Sequence, residues 1–264
     1  MQNCLLIYRA ERFSPNAVER DKAMMDAVAD KLMACGIKDI VFMHEDELCK
    51  DTVVKYSGYT VIHMTRSDKA LSILEEMERR DSRILNSPKA LRRCSRTGIE
   101  AAMETLGLPT PNSLLNEHPE LGGRGWWEKS IDTTDSSDGH VRFSEDRPQV
   151  SECKIIQPHI EGKLLKFYGV RGTDFFHVRE EMANDILLRL SRDADKLACA
   201  LGLDIYGGDA VLTESGLLTI IDFNDFPSFS SCREQASAAI VEKFLLPLQT
   251  VEFNPKIEKS HAEK

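Results

Sequence analysis

Short apolar runs alternate with amphipathic stretches along the first third of the chain. Leu5 to Tyr8 reads as a buried strand, and Asp21 to Cys35 as a helix with one apolar face, stopped by Gly36. Asp39 to Met43 and Thr60 to Met64 read as further strands. Ser67 is placed to cap a charged helix reaching Arg80, and Arg83 to Leu85 is a last short strand. Strands alternating with helices predict a mostly parallel sheet of about four strands, covered by helices. Residues 1–85 are thus expected to form an N-terminal α/β unit, punctuated at its end by Asn86-Ser-Pro88.

Beyond that boundary the pattern changes. One helix is predicted from Leu91 to Leu106, ending at Gly107, after which Pro109-Thr-Pro111 forces an extended exit. Residues 112–150 are polar and turn-rich around Gly125-Trp-Trp-Glu-Lys129, and Ile131 to Gly139 is expected to be a mobile loop. Cys153–Gln157, Leu164–Val170 and Phe175–Val178 read as strands. Ala183–Leu201 reads as a long amphipathic helix stopped by Gly202, and Glu234–Leu245 as the last helix. Residues 251–264 are charged and expected to fray.

Between those two helices lies a predicted hairpin: Gly208–Thr213, a turn at Glu214-Ser-Gly216, and Leu217–Asn224. Period-2 alternation puts Asp222 and Asn224 on one face. If Ser215 and Gly216 are the two loop residues, Asp209 faces Asp222 and Val211 faces Ile220; a three-residue loop would shift this pairing by one. Directly opposed carboxylates repel. A chain keeps such a pair mainly where a cation sits between them, and Asp and Asn oxygens are hard ligands suited to Mg2+ or Mn2+.

Composition narrows the setting. The 264 residues are 42% hydrophobic and 29% charged, enough for a substantial core in one large or two moderate domains. A formal charge of −9 argues against nucleic acid as a partner. The seven cysteines lie without a C-x-x-C pair, which predicts free thiols, a reducing compartment and a cytoplasmic protein. No apolar run is long enough for a signal segment or a membrane span, so no membrane partner is expected. Oligomeric state is not legible.

Taken in order, the helix-covered parallel unit, the Pro-Thr-Pro exit, the strand ending in Lys129, the strand leading into Gln157-Pro-His-Ile160 and the hairpin carrying Asp209, Asp222 and Asn224 resemble the ATP-grasp superfamily. The block Leu203 to Phe229 is the most specific part. In style it is nearest to two branches: amino-acid ligases that add glutamate to peptides and ribosomal proteins, and the inositol trisphosphate kinase group. The resemblance implies an α/β and α+β fold. An N-terminal parallel-sheet pre-ATP-grasp domain (1–85) would precede a two-lobed ATP-grasp domain (86–250, lobes about 86–160 and 161–250).

The resemblance also implies roles. Lys129 would reach the α- and β-phosphates of ATP, and Arg96 would touch the phosphates, a solvated helix arginine being the plain alternative. Gln157 to Ile160 would form the hinge at the adenine edge, with Ile160 offering its N–H and His159 serving as a wall. Asp209, Asp222 and Asn224 would hold Mg2+. Lys166 would face the transferred phosphate, with Arg171 and Arg179 as candidates for an acidic substrate. No Gly-rich phosphate-covering loop follows Lys129; Asp132 to His140 would replace it. Arg9, Arg12 and Arg66 follow predicted strands of the N-terminal unit, where an anionic acceptor would bind.

Two activities follow from one nucleotide site. The first is ATP-dependent ligation of a small-molecule or peptide carboxylate to an amine (or thiol) through an acyl phosphate. The second is phosphorylation of a small molecule of the inositol-phosphate type, for which Lys154, Lys163, Lys166, Arg171 and Arg179 would have to converge.

Overall fold

The computed structural model describes residues 3–121, 124–131 and 141–246. The N-terminal part runs β1 (Cys4–Tyr8), α1 (Val18–Ala34), β2 (Ile40–His44), α2 (Lys50–Lys55), β3 (Thr60–His63), α3 (Asp68–Glu78) and β4 (Arg83–Leu85). Its sheet is parallel throughout, in the order β2-β1-β3-β4. Central β1 is covered on both faces, which is why it reads as an unbroken apolar run. Leu6 packs with Met24 and Val28 of α1, while Leu5 and Ile7 pack with Leu74 and Met77 of α3. Helix α2 escapes prediction because six residues are too few to display a period.

The single helix expected from Leu91 to Leu106 is two helices, α4 (Pro88–Arg93) and α5 (Arg96–Thr105). The break falls at Cys94-Ser95, because the Ser95 hydroxyl accepts the Gly98 N–H at 3.1 Å and starts a new helix. The described residues between 112 and 150 also carry more regular structure than expected. They hold part of α6 (Pro111–Glu117), capped by Thr110, and strands β5 (Trp126–Ser130) and β6 (Val141–Ser144). With β7 (Lys154–Pro158) these two strands form an antiparallel sheet ordered β6-β5-β7. Residues 132–140, including Asp138 and His140, and the tail 251–264 lie outside the described residues.

The remaining strands are β8 (Lys163–Val170), β9 (Phe176–Val178), β10 (Ile205–Leu212) and β11 (Leu218–Asn224), in the antiparallel order β11-β10-β8-β9. Leu165, Phe167 and Ala210 turn one face toward α7 (Asn184–Leu201), where Leu190, Ala194, Leu197 and Leu201 are fully or almost fully buried. The other face is left for the site. Helix α8 (Arg233–Leu245) packs against α1, so one core joins the parallel sheet to the C-terminal half.

Side chains also tie the halves together. Asn86 accepts the N–H groups of Asp204 and Ile205 at 2.6 and 2.7 Å and donates to the Ile205 carbonyl at 2.8 Å. Arg83 donates to the carbonyls of Lys243, Phe244 and Leu246, closing the C-terminus of α8 with a positive charge.

Candidate functional site

The hairpin that carries the acidic pair is built differently from the expected one. Thr213 N–H donates to Leu217 O at 2.9 Å and Gly216 N–H to Thr213 O at 3.0 Å, so the loop has three residues, with Gly216 at φ +82. Leu212 pairs with Leu218, Val211 with Thr219 and Ala210 with Ile220, which corrects the expected Val211–Ile220 pairing. The register then shifts at a β-bulge, and Asp209 faces Asp222 after all. The extra loop residue and the extra residue on β11, Ile221, cancel. The bulge has a second effect, because it leaves a residue out of the ladder. The Ile221 carbonyl accepts the Lys129 ammonium at 2.7 Å, bringing the antiparallel sheet of β5 onto the hairpin.

Asp209 is flanked on its other side by Lys166 of β8, so Lys166, Asp209 and Asp222 form a row across three neighbouring strands. Lys166 Nζ lies 3.2 Å from Asp209 Oδ1 as an ion pair without hydrogen-bond geometry, and that oxygen is buried with no hydrogen-bond donor. Burial pushes the Asp209 carboxyl pKa up, against the pull of Lys166. Asn224 Nδ2 donates to Asp222 Oδ2 at 2.9 Å. Among the described residues no group of three or more His, Cys, Asp or Glu side chains has metal-site geometry. The donor set here is two carboxylates and an amide. An undonated, buried carboxylate oxygen beside a second carboxylate and an amide fits a hard divalent cation.

Asp209 and Asp222 line one end of a cavity of about 410 Å3 between the two antiparallel sheets. Arg96, Lys129, Asp209 and Asp222 are at its polar end; Trp127, Val141, Ile160, Leu164 and Val211 supply apolar walls. Leu164 and Val141 are half exposed because they face this space. Burial lowers the pKa of Lys129, with Asp222 opposing, and of Arg96, again with Asp222 opposing. The Arg96 guanidinium, on the first turn of α5, donates to the Ser130 carbonyl.

Gln157 and His159 line the same cavity. Trp127 Nε1–H donates to His159 Nδ1 at 3.1 Å, and the Trp127, Phe143 and His159 rings pack together. His159 therefore carries its proton on Nε2 and forms a wall. Ile160 is buried, and its amide makes no hydrogen bond to the described residues.

Other expected residues lie elsewhere. Arg171 is not brought to the cavity: it donates to Leu203 O at 2.9 Å and Asp204 Oδ1 at 3.0 Å, fixing the start of β10. Lys154 pairs with Glu128, Lys163 donates to Glu181 O, and the Arg179 side chain is exposed. Arg9 is spent on Met64 O, Asp21 and Phe226 O, and Arg12 pairs with Asp46 on the surface. Trp127, Leu164 and Val211 were not singled out from sequence. Each stands two residues from one that was (Lys129, Lys166, Asp209), so period-2 alternation alone would have found them.

No family model matches the chain, and no curated protein matches it. Solved structures do. The ATP-grasp ligase PsnB in complex with a minimal precursor is 13% identical, covers 91% of this chain and 100% of its own, and superposes with a TM-score of 0.58. D-alanine–D-alanine ligase from Bacillus anthracis complexed with ATP is 10% identical over 92% of this chain and 97% of its own, with a TM-score of 0.63. D-alanyl-alanine synthetase A from Vibrio cholerae is 11% identical over 92% and 97%, with a TM-score of 0.65. At this level of identity the shared property is the architecture, and over more than nine-tenths of its length this chain has the ATP-grasp fold.

Proposed function

We propose that the protein is an ATP-dependent carboxylate–amine (or thiol) ligase. One observation carries the reading: a single cavity joins an apolar slot for a base to Lys129, Arg96 and the opposed carboxylates. The base would lie between Trp127, Ile160, Leu164 and Val211, against the Ile160 amide, which makes no hydrogen bond to the described residues. Lys129 and Arg96 would meet the phosphates. Asp209, Asp222 and Asn224 would hold Mg2+ (or Mn2+), which when bound neutralises the β- and γ-phosphate charge. Solved relatives of the same fold contain ATP, or Mg and ADP, in keeping with this.

The γ-phosphoryl group would pass to a substrate carboxylate, releasing ADP and leaving an acyl phosphate. An amine then attacks the acyl carbon and expels phosphate. Lys166, half exposed and paired only with Asp209 among the described residues, could turn toward the transferred group. The acceptors would be a small-molecule or peptide carboxylate and an amine, as the precursor peptide bound to PsnB and the name of D-alanine–D-alanine ligase suggest. Residues 1–85 would form the pre-ATP-grasp unit, with the ATP-grasp lobes over about 86–160 and 161–250. Seven free thiols and the absence of any membrane-crossing helix among the described residues accord with a cytoplasmic setting. The inositol-phosphate kinase alternative needs several convergent cations, and the separate engagements of Lys154, Lys163 and Arg171 count against it.

Product analysis tests the proposal. With Mg-ATP and a panel of amino acids and peptides, ADP and free phosphate should form only when both a carboxylate and an amine are present. A phosphorylated product without free phosphate would indicate the kinase, and AMP would exclude both. Asp222→Ala should abolish turnover with the fold intact by circular dichroism; normal activity would remove the metal assignment.

A further inference from the structure

The strand order of the N-terminal sheet reverses between β1 and β3, and open α/β sheets receive ligands at the carboxyl ends beside such a switch point. Here that crevice holds the chain's own Glu45 carboxylate, 1% exposed. Its Oε2 accepts the Ala10 N–H at 3.1 Å, and its Oε1 accepts the N–H groups of Arg66 and Ser67. An internal anion thus sits where a ligand anion would, and it fixes the backbone that carries Arg66. The guanidinium is fixed at its far end too, because NH2 donates to Asp225 Oδ1 at 2.8 Å. Asp225 follows directly on Asn224, so Arg66 is anchored beside the acidic end of β11.

The three arginines at these strand ends differ in what they have left to give. Arg9 spends all three of its nitrogens within the protein, and Arg12 sits with Asp46 on the surface. Among the described residues Arg66 has one partner for its fork. Its Nε is buried without a hydrogen bond, and the side chain is still 30% exposed. Its charge adds to the lowering of the Arg96 pKa, and Arg96 lines the nucleotide cavity. A planar fork held at one nitrogen on an anchored backbone, with donors unspent, is suited to a carboxylate or a phosphoryl group.

We propose that Arg66 is the residue with which the N-terminal unit holds the oxyanion of the second substrate at the phosphate end of the cleft. The oxyanion is the carboxylate or the phosphoryl group it receives. This rests on the ligase reading and deepens it: the second substrate is anionic at its reacting end, and Glu45 acts through Arg66 as a positioning residue.

The test uses the full chain loaded with Mg-ADP and titrates inorganic phosphate by calorimetry, with acetate as competitor. Wild type should bind phosphate. Arg66→Lys keeps a charge for Asp225 but loses the fork, and should weaken phosphate about 10- to 100-fold, the worth of one charge-assisted hydrogen bond. Mg-ADP affinity should stay within about twofold, since Arg66 lies outside the base and metal contacts. Competition by acetate identifies the carboxylate as the group held; its failure, with phosphate still sensitive to Arg66, identifies the phosphoryl group. Phosphate affinity equal in variant and wild type, no phosphate binding by wild type, or a parallel loss of Mg-ADP overturns the assignment. Failure of wild type to bind Mg-ADP overturns the nucleotide reading, and this inference falls with it.

Discussion

Gly208→Ala would disturb the site through the backbone alone. A Cβ at Gly208 would lie 2.2 Å from the Asp222 carbonyl oxygen and 2.7 Å from Phe167 Cζ. Favourable contact begins about 1 Å farther out. The phenyl ring can yield a little, but the carbonyl is backbone and cannot rotate away. Relief therefore requires β11 to move by roughly 1 Å from β10 at the residue that carries the acidic side chain. Overpacking of this kind destabilises by about 1–3 kcal/mol. For a chain of this size that is a fall in Tm of roughly 2–12 °C. The same movement carries the Ile221 carbonyl away from Lys129, whose 2.7 Å bond depends on it. Loss of one such charge-assisted bond, about 1.5–3 kcal/mol, would reduce Mg-nucleotide affinity by roughly 10- to 100-fold. Thermal unfolding and calorimetric titration with the non-hydrolysable ATP analogue AMPPNP in Mg2+ measure both effects. A variant with wild-type Tm and wild-type affinity would refute the claim that close strand approach sets the site.

Two further outcomes follow from buried polar groups at the junction of the two halves. Asn86→Ala removes three hydrogen bonds and strands the Asp204 and Ile205 amides in the interior; denaturant unfolding should show a loss of roughly 3–5 kcal/mol, and a loss under about 1 kcal/mol would deny the residue its role as a tie. His63, held between Thr65 and the Asn86 carbonyl, has its pKa lowered by burial, although the Asn86 bond, Asp225 and Glu45 pull it up and Arg9 adds to the lowering. The unfolded histidine takes up a proton near pH 6.5 while the folded one does not. Stability is therefore fully present above about pH 6.5 and declines as pH falls, by up to about 1.4 kcal/mol per pH unit. His63→Asn should flatten that slope, and equal slopes in the two proteins would exclude His63 as its source.

Much of this was legible in the chain. The alternating elements of residues 1–85, the long helix stopped by Gly202 and the strand carrying Asp222 and Asn224 all announced themselves through period and punctuation. What failed did so locally. The helix expected across Cys94-Ser95 was split by a serine cap whose strength depends on one side-chain rotamer. Helix α6 was hidden in a polar stretch because its cap, Thr110, precedes a proline that reads equally well as a breaker. The arginines at the strand ends carried identical signals. Only their partners separate Arg9, fully engaged, from Arg66, which keeps donors to give.

The acidic pair shows where the division lies. Residue types and period-2 spacing determined that Asp222 and Asn224 share a face and that Asp209 belongs to the preceding strand, since alternation is a property of a single strand. Their opposition is a property of two. It rests on a three-residue turn and a compensating bulge at Ile221, and no local pattern encodes that the two offsets cancel. The bulge also creates the carbonyl that receives Lys129 from another sheet. The sequence by itself determined which groups were available; register and sheet packing decided which of them meet, because both depend on contacts between segments far apart in the chain.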